Sequence, residues 1–168
     1  PNGRMVCTFL DAKYKYKIQF EMWAMNRLKV TNEYPNPDIR GGRNGGGLRF
    51  YPEGIPQDLA SRKYKILLIN DALRGYTQDT PDSLMGRSGK YDRSRENIFM
   101  WTHTINDNLD YFWYDPKSFI KSFVGVSMDS FFLGIRFKDM VNRVHGILRK
   151  TLVTVFVPLG FCCYLKRK

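Results

Sequence analysis

The feature that most restricts how this chain can fold is its C-terminal stretch, Thr151-Leu-Val-Thr-Val-Phe-Val-Pro-Leu-Gly-Phe-Cys-Cys-Tyr-Leu165. It carries no charge, yet Arg149 and Lys150 precede it and Lys166, Arg167 and Lys168 follow it. A helix that crosses hydrocarbon needs roughly 20 apolar residues, about 17 at the least, and the run falls short of that. Lysine stems laid along its ends extend the effective span, and Pro158 is tolerated in a membrane helix where neighbours satisfy the freed carbonyl. Two readings stand open. The segment is membrane-associated, as the basic brackets favour, or Leu152 to Val157 is a buried strand that Pro158 ends. Periodicity does not assign so short an apolar run. The membrane reading names Arg149, Lys150, Val155, Phe156, Phe161, Lys166 and Arg167 as anchoring residues.

Charge narrows the choice of partner. The net charge is +11 over 168 residues, and it is unevenly spread: +5 in residues 1–50, −2 in 51–116 and +8 in 117–168. An excess of this size implies an anionic partner, whether nucleic acid, a lipid surface or an acidic subunit. The length predicts one domain, or one with an appendage, and a hydrophobic content of 43% allows a core. Cys7, Cys162 and Cys163 make an odd count with two adjacent, which argues against a disulfide framework. There is no Asn-x-Ser/Thr acceptor, and both facts fit a reducing or organellar compartment. The chain opens at Pro1, as expected where an N-terminal piece such as an organellar targeting peptide has been removed.

Four regions follow from the pattern. In residues 1–31, Ala12 to Met22 alternates, with Tyr14, Tyr16, Ile18, Phe20 and Met22 on one face and Lys13, Lys15, Lys17, Gln19 and Glu21 on the other. Period two predicts a half-buried strand with a wet basic face, and Met5–Leu10 is expected to pair with it as a hairpin. Residues 32–58 read as a Gly/Pro-rich loop, with Pro52–Pro56 a turn. Residues 59–114 form an acidic, aromatic middle, in which Ile66–Ile69 is expected to be a strand and 74–97 an exposed connector. The Tyr111–Tyr114 cluster precedes Asp115-Pro116, a favoured N-cap followed by a favoured first helical residue.

Residues 115–168 then hold a basic amphipathic helix and the apolar run. Phe119, Phe123, Val126, Leu133, Phe137, Met140, Val144 and Leu148 recur at helical spacing. Lys138, Asp139, Asn142, Arg143 and His145 take the other side, and Gly134 predicts a break. The fold class is therefore α+β: an N-terminal β-hairpin part with long irregular connectors, an amphipathic helix, and a short apolar segment that is a candidate membrane span.

Motifs for chemistry are sparse. Gly86-Arg-Ser-Gly-Lys90 lacks the first glycine of a phosphate loop, and Tyr91 stands where its magnesium-binding hydroxyl belongs. His103 and His145 have no partner at metal-ligand spacing, Asp107 and Asp110 read as solvated carboxylates, and no serine or cysteine sits in a nucleophile elbow. The expectation is a non-enzymatic chain without a cofactor or metal. It is an accessory subunit of a large organellar inner-membrane assembly, expected to be a mitochondrial respiratory-chain complex, touching other subunits and membrane lipid. The alternative is a mitochondrial ribosomal protein that grips rRNA through Arg40, Arg43 and Arg49 of the glycine-rich loop and through Lys13, Lys15 and Lys17.

Overall fold

A computed structural model describes residues 3–18, 28–35, 51–52, 54–69 and 93–168. Its α+β class agrees with the pattern, but the strands pair differently. Strand β1 (Arg4–Cys7) lies antiparallel to β2 (Ile66–Ile69), with Arg4 opposite Ile69 and Cys7 opposite Ile66. The expected partner of β1, the alternating segment after Asp11, instead forms a π-helical turn at Asp11–Lys15. A strand would have buried Tyr16, which is exposed; a helical turn stacks Leu10 under Tyr14, four residues on, and buries both. Thr8 starts the turn by accepting a hydrogen bond from the Asp11 amide through Oγ1, at 3.0 Å. Packing overrides the period-two pattern here, so the basic strand face of Lys13, Lys15 and Lys17 is not formed. Gln19 to Met22 lie outside the described residues.

Two short helices come next, α1 (Leu28–Glu33) and α2 (Gly54–Ala60). The second corrects the expected turn at Pro52–Pro56: Pro56 sits in the opening turn of a helix, where its missing N–H leaves no bond unmade. Its body presents Ile55, Asp58 and Ala60 to the interior. Helix α3 (Ser94–Asp107) takes up the end of the expected connector and the polar stretch after Trp101. Much of that stretch is interior, since His103, Thr104 and Ile105 are buried.

After a single 3-10 turn at Leu109–Tyr111, helix α4 (Pro116–Phe132) begins as its cap predicts. Asp115 accepts from the Ser118 amide at 3.4 Å and from Ser118 Oγ at 2.6 Å, and Pro116 takes the first helical position. The chain breaks at Gly134, whose φ of +64° suits a residue without Cβ. A short helix, α5 (Phe137–Val141), and Gly146 at φ +78° then lead into α6 (Ile147–Arg167). The apolar run is therefore helix, and the buried-strand reading of Leu152–Val157 falls. A helix satisfies its own backbone, whereas a strand there would need a sheet partner.

Helix α4 lies at the centre. α3 runs antiparallel to it, Ser94 meeting Asp129 while Trp101 crosses Gly125. α6 runs parallel to it: Phe156 stacks on Phe123, Gly160 meets Ser127, and Tyr164 meets Phe131. Parallel neighbours require the connection through α5 to return the chain along α4, about 25 Å for its 17 residues at 1.5 Å each. The core between them is Leu10, Tyr14, Ile105, Phe119, Phe123, Val126, Met140, Val144 and Val153. Five of the eight residues expected on the apolar stripe are buried, while Leu133, Phe137 and Leu148 are exposed.

Candidate functional site

Two places concentrate unusual chemistry: the outer face of α6 and a polar hub beneath α2 and α3. On α6, Val153, Phe156, Val157, Gly160 and Tyr164 turn toward α4. The contact at Gly160 is close. A Cβ placed there would fall far inside van der Waals distance of Ser127 Cβ, and 3.0 Å from the Val124 carbonyl oxygen. Small residues thus bring the two backbones together, as they do in membrane helix pairs.

A soluble helix packed on one side is expected to be polar on the other. α6 is not. Leu148, Val155, Leu159, Phe161 and Leu165 are exposed, Val155 to 65%. It is long and apolar enough to cross a membrane, and only 11% of its apolar window is buried by the protein.

The expected anchoring residues divide between inner and outer duties. Phe156 and Phe161 pack on Phe123 and Phe131, with ring centroids 5.6 and 5.2 Å apart. Arg149 Nε donates to the Ile105 carbonyl at 2.9 Å, and Lys150 Nζ to Asn142 Oδ1 at 3.3 Å. Val155 and Lys166 face outward. At the far end, Lys166 and Arg167 occupy the last turn of α6, where they oppose the negative poles of two parallel helices.

The hub was not legible beforehand. Asp58, 2% exposed, accepts from Lys13 Nζ at 2.9 and 3.2 Å and from Asn108 Nδ2 at 2.9 Å. Burial works to lower the Lys13 pKa, but the Asp58 charge and hydrogen bond outweigh it, so the ammonium form is held above its ordinary range. His103 bridges two acids. Its Nδ1 lies 2.8 Å from Asp107 Oδ2 and its Nε2 lies 3.5 Å from Asp58 Oδ2 without a hydrogen-bond partner. Arg62 pairs with Asp110 at 2.6 Å and donates to the Asp107 carbonyl and Asn108 Oδ1, which holds the Asp110 carboxyl below its usual range.

A carboxylate–imidazole pair is the framework of general-base catalysis. Here the second ring nitrogen faces Asp58 instead of a hydroxyl or thiol. Through the bonds of Lys13 and Asn108 to Asp58, the hub joins the N-terminal turn, α2 and the end of α3. A neighbouring groove of about 180 Å³ is lined by Lys13, Tyr14, Trp101, Thr104, Ser118 and Lys121 among others.

Of the residues expected to grip RNA, Lys13 is spent on Asp58, and Lys15 lies over Tyr16 and Tyr114 at 5.7 and 5.6 Å. Lys17 is exposed, while Arg40, Arg43 and Arg49 lie outside the described residues. Among the described residues, no three His, Cys, Asp or Glu side chains gather as metal ligands. Nothing local in the sequence marks Asp58 or Gly160, whose partners Lys13 and Ser127 are 45 and 33 positions away. The spacing of His103 and Asp107, four apart on one helix, is the one local signal of the hub. Comparison with family models, curated proteins and solved structures finds no match to this chain.

Proposed function

We propose that this chain is a non-enzymatic accessory subunit attached to a membrane through α6, within a larger assembly. The observation that carries the reading is the outer face of α6, apolar from Leu148 to Leu165 where a soluble helix is polar. Full burial of a Val or Leu side chain contributes about 1.5–3 kcal/mol. Leu148, Val155, Leu159 and Leu165 are each half exposed or more, so covering them with lipid is worth on the order of 5 kcal/mol. Cations at both ends add attraction to anionic headgroups. The organellar inner membrane, and a respiratory-chain complex within it, is the setting that cysteine usage and basic, aromatic composition favour.

Sedimentation of source membranes at neutral pH and low salt tests the attachment. The protein is expected in the pellet, and Val155→Asp is expected to move it to the supernatant, because a charge in the middle of the apolar face opposes burial of that face in lipid. Because Val155 is exposed, the variant keeps its fold and its circular dichroism. Wild-type protein in the supernatant refutes membrane attachment.

A further inference from the structure

Resting on that membrane reading, we infer that α6 lies flat in the surface of an anionic bilayer, still docked on α4, and does not cross it. α6 is bound along its length to α4 through Phe123–Phe156, Ser127–Gly160 and Phe131–Tyr164. A crossing α6 would draw α4 to the same depth, with Lys117, Lys121 and Asp129, and α3 behind it with Arg95, Glu96 and Asp107. Each such charge in the hydrocarbon is costly, so a crossing would have to strip α6 from α4. Laid flat, the outer face meets the acyl boundary while α4 and α3 stay above it. In this arrangement α4 covers the side of α6 where an ordinary interfacial helix carries its polar face.

The proline supplies a second, independent reason. Pro158 lacks the N–H that would bond the Thr154 carbonyl, and both residues are on the exposed side of the helix. Halfway along a span, that carbonyl would stand in dry hydrocarbon, whereas headgroup water satisfies it at the surface.

Charge complementarity identifies the occupant as anionic lipid. α6 has no acidic residue, and cations bracket its apolar face at both ends. Arg149 and Lys150 hydrogen-bond to a carbonyl and an amide, which are neutral acceptors.

The test uses the full chain with its three cysteines replaced by serine or alanine, carrying one environment-sensitive label at Leu148→Cys, Val155→Cys or Leu159→Cys. The probes are vesicles of phosphatidylcholine alone and of phosphatidylcholine with phosphatidylserine. We expect binding to the anionic vesicles, similar quenching of all three labels by shallow-labelled lipid, and access of external reductant to labels at both His145→Cys and Lys168→Cys. Replacing Lys166, Arg167 and Lys168 with glutamine is expected to weaken binding about a hundredfold, at about 1 kcal/mol per charge. Deep quenching at Val155→Cys and Leu159→Cys, with one terminal label shielded, overturns the flat orientation but keeps the membrane reading. No binding to either vesicle overturns both. A concentration-dependent dimer that shields these labels without lipid assigns the face to a second copy, and it overturns the inference too.

Discussion

Substituting Gly160 by alanine sets two opposed effects against each other. In a helix interior, glycine to alanine gains about 1 kcal/mol from backbone entropy. The new Cβ, however, would overlap Ser127 Cβ and stand 3.0 Å from the Val124 oxygen and 3.1 Å from the Met128 nitrogen. Ordinary contact lies near 3.5–4.0 Å. These are backbone and Cβ atoms, which cannot rotate away, so α6 must move off α4 by roughly half an ångström or more. A gap of that size forfeits about a quarter to a half of each dispersion contact it opens, including the Phe123–Phe156 stack. Overpacking of this kind costs about 1–3 kcal/mol, and rigid neighbours put it in the upper part of the range. The net expectation is a loss of about 1–2 kcal/mol, read from urea denaturation followed by circular dichroism in mild detergent. Adding Ser127→Gly removes the worst overlap and is expected to return part of the loss as a coupling energy above 0.5 kcal/mol, roughly the threshold for contacting residues. Stabilisation by the full helix-propensity gain in Gly160→Ala would refute the close approach, and with it the docked α6.

Three further expectations follow from the polar contacts. Asp58→Ala orphans Lys13 and Asn108; breaking a buried pair costs about 3–5 kcal/mol, and the 38% exposure of the Lys13 side chain brings the expected loss to about 2–3 kcal/mol, measured by denaturation. Burial raises the Asp129 pKa despite its bonds from Trp101 and Ser94, so its contribution is fully present below the unfolded value near 3.9 and is lost as pH rises through the higher folded value. The stability of wild type minus Asp129→Asn is therefore expected to shrink as pH rises above about 4, and growth instead contradicts the burial argument. Asp115→Ala removes the α4 cap and is expected to cost about 1 kcal/mol in the same denaturation assay.

Local signals were legible from residues alone because their physics spans only a few positions. Asp115-Pro116 starts α4 through contacts three residues apart, and Gly134 ends its run through its own φ. Ile66–Ile69 is a strand as its apolar run proposed. The alternation after Asp11 misled because period two reports only what a strand would bury, whereas Leu10 and Tyr14 reach the core together from a helical turn.

By itself the sequence determined an α+β chain with a capped helix before a break, and a charge-free C-terminal segment between cations. Only the tertiary structure decided that β1 pairs with β2, that Asp58 gathers Lys13, His103 and Asn108, and that α6 runs parallel to α4. Caps and turns are settled by neighbouring atoms along the chain. Pairings between distant segments depend instead on which surfaces fit when the whole core closes, and that fit leaves one face of α6 uncovered.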